Sequence, residues 1–214
     1  MTDSLTISYS GDATAVDDLD HPAWHCPPAA EITRYWSGET APGSRHCSVR
    51  LLWNEAALFA RFDARQEEPL VTNSAPALDV KTPGLWDRDV CEIFISPGPE
   101  IPKKYFEFEA APTAEWVDLA IEISGPQRNA DLEYDSGMQA AARIEERAVT
   151  IAMKIEWAAL EAVPSPGDIW RGNLFRCVGS GPLRGYLAWQ PTLTETPNFH
   201  VPEKFGRFVF SKNK

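Results

Sequence analysis

The sequence predicts an all-β chain, a two-sheet antiparallel sandwich of jelly-roll or immunoglobulin-like type with at most one short helix. Three observations lead there. Hydrophobic residues recur with a period of two over many short runs, the pattern of strands with one buried face. Eighteen prolines and thirteen glycines punctuate those runs, as expected where many turns join short strands. Segments with helical periodicity are almost absent, and about ten strands without helices pack as two layers.

The elements follow in chain order. Val49, Leu51 and Trp53 alternate with Arg50 and Leu52, and Asn54-Glu55-Ala56-Ala57 turns the chain into Leu58-Phe-Ala-Arg-Phe62, a hairpin. Residues 63–84 mix charge, proline and glycine without periodicity and read as a long loop, a place where function concentrates. A second hairpin spans Leu85 to Pro112. Trp86-Asp-Arg-Asp89 runs into Val90-Cys-Glu-Ile-Phe-Ile95, and after a Pro/Gly turn comes Tyr105-Phe-Glu-Phe-Glu-Ala-Ala. Period-two runs continue at Val117 to Ile123, Met138 to Ile144 and Val149 to Trp157. Trp157-Ala-Ala-Leu-Glu-Ala162 makes one short helix that Pro164 stops. Ile169 to Val178, Tyr186 to Gln190 and Phe205 to Ser211 complete the strands.

Composition bounds the function. The chain has 214 residues, 43% of them hydrophobic and 24% charged, enough for a sizeable core and consistent with one domain over residues 1–214. A formal net charge of −11 argues against nucleic acid, whose phosphates need clustered Lys and Arg. No run reaches the 18 or so apolar residues of a membrane helix. The first residues lack a basic start and apolar stretch, which suggests a cytoplasmic protein as written, or a secreted or periplasmic one if a leader was removed. Cys26, Cys47, Cys91 and Cys177 form no CxxC pair, and Cys91 and Cys177 read as small buried hydrophobes. Pro22 and Pro27-Pro28 argue against a helix that would align His21 with His25 for a metal. Met138 and Met153 sit on core faces, which disfavours haem ligation. No GxSxG elbow, phosphate loop or dinucleotide fingerprint is present.

Val49-Arg-Leu-Leu-Trp-Asn54 before Leu58-Phe-Ala-Arg-Phe62, Trp86-Asp-Arg-Asp89 before Glu92-Ile-Phe-Ile95, and Phe199-His-Val-Pro-Glu-Lys-Phe-Gly206 together resemble the family 9 carbohydrate-binding modules over about Trp24 to Phe210. The resemblance implies a sandwich that binds sugar units, often at a chain's reducing end, without cleaving them. It implies no required cofactor, with calcium at structural positions, and a carbohydrate as partner. Trp86 matches the family's first clamp ring and Phe199 falls at its second. Glu92 matches a carboxylate that binds hydroxyls. Arg176 and Trp189 lie on late strands that border the site in the family, and Glu107 stands where sugar-binding members place an Arg. The chemistry agrees: the apolar face of a pyranose stacks on flat rings while its hydroxyls need fixed partners.

Other readings of the same residues stay open. Trp86 and Phe199 also suit simple packing, and Glu92 requires a partner if buried, either a ligand hydroxyl or a salt bridge with Arg176. His200 serves as a loop cap or as a donor to a sugar. The row Glu107, Glu109, Asp118 and Glu122 reads as a solvated sheet face, with a glycosidase using carboxylates such as Glu92 and Glu107 as the enzymatic alternative. A third reading is a sandwich that has lost sugar binding and acts as an interaction module.

Overall fold

The computed structural model describes residues 4–11 and 15–212, and among them fourteen strands form one hydrogen-bonded network. Early in the chain are β1 (Ser4–Tyr9), β2 (Ala30–Ile32), β3 (Arg34–Tyr35), β4 (Cys47–Trp53) and β5 (Ala57–Arg65). The middle holds β6 (Val90–Ser96), β7 (Lys104–Ala110), β8 (Trp116–Ser124) and β9 (Gln127–Asp131). Last come β10 (Gln139–Glu145), β11 (Ala148–Glu156), β12 (Ile169–Val178), β13 (Gly185–Ala188) and β14 (Gly206–Ser211). Their order is β10-β11-β5-β4-β1-β14-β12-β6-β7-β8-β9, with β2 on β4 and with β13 and then β3 extending from β12.

This ribbon folds over itself at β1. Strand β1 runs parallel to β14 on one side and to β4 on the other, whereas the remaining pairings are antiparallel. The expected all-antiparallel sandwich therefore has a parallel seam. Side chains from both halves meet in the main core: Val49, Leu51, Phe62 and Ile151 from the first layer, and Ile93, Phe108, Leu174 and Phe208 from the second. Full burial of each such side chain stabilises the fold by about 1.5–3 kcal/mol. Within the second layer the neighbouring strands crowd Gly172 on β12, where an added Cβ would lie 2.1 Å from the Phe208 ring on β14 and 2.6 Å from the Phe94 carbonyl oxygen on β6.

Period two decides which residues enter that core. Along β6, Cys91, Ile93 and Ile95 point inward while Val90 and Phe94 join a second cluster on the outer face. On β7, Phe106, Phe108 and Ala110 point inward and Tyr105 outward; on β8, Val117, Leu119 and Ile121 point outward. A sheet in which both faces are apolar needs something over its outer face. Here the turn at Leu85 and the segment carrying Phe199 and Phe205 pack there.

Several sequence expectations change. Strands β1, β2, β3 and β9 were not expected: β2 and β3 are too short to show a period, and β9 is exposed at every position. The helix expected over 157–162 is a single 3-10 turn, Trp157–Leu160, ended by Glu161 at φ 56. Trp157 is held there by its indole N–H donating to the Asn54 carbonyl at 2.7 Å and by edge contact with Trp170. The loop expected from residue 63 begins later, because β5 continues to Arg65. All four cysteines are free, and Cys47, Cys91 and Cys177 are buried.

Candidate functional site

The outer face of the second layer carries an open cleft of about 690 Å³. One wall is the turn before β6. Gly84 at φ 81 starts a 3-10 turn, Leu85–Asp87, in which Leu85 is buried as the anchor and Trp86 stands out with 39% of its surface exposed. Backbone carbonyls of Trp86, Asp87 and Arg88 all accept from the Arg184 guanidinium, at 2.7, 3.1 and 2.6 Å. Buried Asp89 fixes the base of the turn by accepting from the Gly179 and Val71 amides. Trp86 thus stands on a backbone clamped from two directions.

A second part of the lining comes from the late segment. Phe199, only 9% exposed, stacks on Phe175 with ring centroids 4.0 Å apart and planes 12° from parallel, and it meets Tyr186 edge-on. His200 packs its ring on Phe94, and its Nδ1 lies 2.9 Å from the Tyr105 hydroxyl. Burial pushes its pKa down to about 3, so the imidazole is neutral at ordinary pH.

Three carboxyl groups form the floor. Glu92 on β6 is paired directly across from Glu109 on β7, and Glu107 lies two residues along on the same face. Each offers an oxygen within 4.8 Å of the others, with all three residues buried. Among the described residues Glu92 accepts only a weak bond from the Cys177 thiol at 3.4 Å, and no protein N–H donates to either oxygen of Glu109. Burial, and then the neighbouring Glu107, pushes Glu92 up to about 8; burial pushes Glu107 up to about 7; Glu109 is held well above the usual range by burial and then by Glu92. Two like charges this close in an apolar setting do not both ionise readily, so protons are shared across the floor.

Of the six residues expected at a binding site, the structure brings together Trp86, Glu92, Glu107 and Phe199 along the cleft. Arg176 and Trp189 lie elsewhere. The register pairs Arg176 with Cys91 and Phe175 with Glu92, so the Arg176 side chain leaves β12 on the face away from the cleft. There its guanidinium donates to the Arg45 and His46 carbonyls and to Gln66, which excludes the expected bridge to Glu92. Trp189 stacks on Phe208 at 5.8 Å beside the main core. Of the acidic row, Glu122 is exposed as expected, but the other three members are not a solvated face. Glu107, Glu109 and Asp118 are buried, and Asp118 opposes Phe108 on the inner side, paired with Lys81 at 2.6 Å.

Glu109, Tyr186 and Arg128 also line the cleft. Glu109 was legible as the i+2 neighbour of Glu107 on a strand, but Tyr186 and Arg128 carried no sequence mark of a site. As for calcium, among the described residues the one grouping of three acidic, His or Cys side chains with suitable spacing is the floor trio. Three carboxylates do not by themselves provide the roughly six to eight oxygens calcium takes.

A family model described as "Carbohydrate family 9 binding domain-like" matches residues 16–213. An "Extracellular protein" of Arthroderma benhamiae is 25% identical over 177 residues, 76% of this chain and 78% of that protein. A crystal structure of a candidate carbohydrate-binding protein from Bacteroides uniformis superposes with a TM-score of 0.75 at 18% identity, covering 99% of this chain and 100% of the other. A carbohydrate-binding module family 9 domain from Caldicellulosiruptor kristjanssonii in complex with cellotriose gives a TM-score of 0.66 at 11% identity, covering 99% and 95%.

Proposed function

The chain belongs to the carbohydrate family 9 binding domain-like family, and on that premise we propose that it binds carbohydrate without cleaving it, at the outer-face cleft. The observation that carries the assignment is the pairing of an exposed ring on a clamped turn, Trp86, with Phe199 over a floor of hydrogen-bonding carboxyl groups. Trp86 and Phe199 hold the apolar faces of a sugar ring, and Glu92, Glu107 and Glu109 face its hydroxyls. Partly protonated carboxyls both donate and accept, which restores the donor that an Arg at position 107 would provide.

Hydrolysis is disfavoured by placement. A glycosidase sets its two carboxyls on either side of the scissile bond, one ionised and one protonated. Here the candidates rise from two neighbouring strands on one side of the ligand. The complexes of the Caldicellulosiruptor relative make glucose and cellotriose the first ligands to try. The description of the Arthroderma relative supports an extracellular location over a cytoplasmic one, and among the described residues no helix is long and apolar enough to cross a membrane.

Calorimetric titration with glucose and cellotriose, alongside Trp86→Ala, tests the assignment. Saturable binding weakened about tenfold or more by the substitution is expected. Undiminished binding in Trp86→Ala removes the site, and turnover of aryl glycosides removes the non-catalytic reading.

A further inference from the structure

The cleft floor concentrates carboxyl groups that the protein gives few partners: Glu107 and Glu109 share a side-chain hydrogen bond, and Glu92 accepts a weak bond from the Cys177 thiol. Glu109 is wholly buried, lines the cleft, and among the described residues has no N–H donor to either oxygen. Such a group is costly to bury unless something completes it. Beyond the bond it shares with Glu107, what completes it comes from the cleft it lines, on the ligand that enters there.

The ligand's chemistry follows from the count and spacing of acceptors. A hydroxyl has one donor and an ammonium has three with no acceptor. Charge-assisted N–H bonds of about 2.8 Å in tetrahedral array set their three acceptor oxygens about 4.6 Å apart. Glu92, Glu107 and Glu109 offer three oxygens within 4.8 Å of one another. Aromatic side chains also line the cleft, from Trp86, Tyr186 and Phe199, and aromatic faces attract cations. Resting on the reading that the cleft holds a sugar, we propose that its preferred ligand is an amino sugar whose protonated amine is bound by Glu92, Glu107 and Glu109.

The surroundings leave the acids in need of that charge. His200 and Tyr105 are neutral, since burial depresses the first and raises the second, and buried Cys177 keeps its proton. Asp87 adds further negative charge nearby. Of the two cations that act on the floor, Arg128 is exposed on the edge strand, and Arg184 is engaged by the carbonyls of Trp86, Asp87, Arg88 and Gly179. Because the free floor holds protons at neutral pH, an ammonium that favours the ionised acids displaces protons as it binds.

Calorimetry at pH 7 with D-glucosamine, D-glucose, N-acetyl-D-glucosamine and calcium chloride tests the proposal. Glucosamine is expected to bind about tenfold or more tighter than the two neutral sugars, with net proton release when buffers of different ionisation enthalpy are compared. Glu109→Gln and Glu107→Gln should each bring the glucosamine-to-glucose affinity ratio towards one. If Glu109→Gln fails to fold, Glu107→Gln and the acetylated sugar still decide. Equal affinity for glucose and glucosamine overturns the amine site and leaves sugar binding standing. No sugar bound overturns both readings. A ratio that survives both substitutions, or calcium binding lost in Glu109→Gln, overturns the proposal in favour of another contact or a metal.

Discussion

Strands β6, β7 and β8 show two faces that are equally buried and differently built. Inward, Ile93, Ile95, Phe106 and Phe108 are at most 2% exposed and pack in the main apolar core beside one buried acid, Asp118. That charge is satisfied: Lys81 sits at 2.6 Å and the Ser136 amide donates at 2.7 Å. Outward, Glu109 is just as deeply buried, yet among the described residues no protein N–H donates to it. The contrast separates two uses of a buried carboxyl. Asp118 ties the loop bearing Lys81 and the segment before β10 to the sheet, whereas Glu109 is bonded to another acid, Glu107, at the edge of the cleft.

The comparison is most exposed to failure at Lys81. Lys81→Met leaves a buried charge without its counter-ion and is expected to cost about 3–5 kcal/mol in urea unfolding, while Glu109→Gln costs under about 1 kcal/mol because a Gln amide keeps a hydrogen bond to Glu107. Equal losses would break the distinction between the faces. Next in size, Gly172→Ala is expected to destabilise by about 1–3 kcal/mol through collision with Phe208 and the Phe94 carbonyl. A neutral result would show that packing between β12 and its neighbouring strands is looser than these distances imply.

A smaller effect is the pH dependence, which sharpens the contrast. With Glu92 raised from 4.5 to about 8, the folded protein holds more protons than the unfolded chain between those values, so stability falls as pH rises through that window. His200, lowered from 6.5 to about 3, works in the opposite sense, adding stability as pH rises between those values. The fall between about pH 6.5 and 8 therefore belongs to the carboxyl floor, amounts to about 1–2 kcal/mol, and flattens in Glu109→Gln. Denaturant melts at a series of pH values measure it; a slope unchanged in the variant would remove the floor as its cause. Smallest of all, Trp86→Ala should shift stability by less than about 0.5 kcal/mol while binding weakens, since its ring is 39% exposed.

Much of the fold could be read from alternation alone. Ile169 to Val178 is β12 residue for residue, and the two hairpins fall where their turns predict. Polar edge strands such as β9 escaped, because with no buried face there is no period to detect. In the site, Trp86, Glu92, Glu107 and Phe199 were legible through motif and spacing, and they do share the cleft. Arg176 and Trp189 were not placeable in that way. Alternation puts Arg176 on one face of its strand and Phe175 on the other, but nothing local says which of them meets Glu92.

The sequence by itself determined the β architecture, the strands' alternating faces and the local grouping of Glu107 with Glu109, because side-chain direction along a strand is a short-range property. Only the tertiary structure decided that β12 pairs with β6 in the register Glu92 to Phe175, which turns Arg176 away. It also decided that the segment carrying Phe199 returns over the outer face, making a cleft from what alternation showed only as a mixed row of acids and rings. The physical reason is that register and layer contacts join residues distant in sequence, and a shift of one residue would exchange the faces.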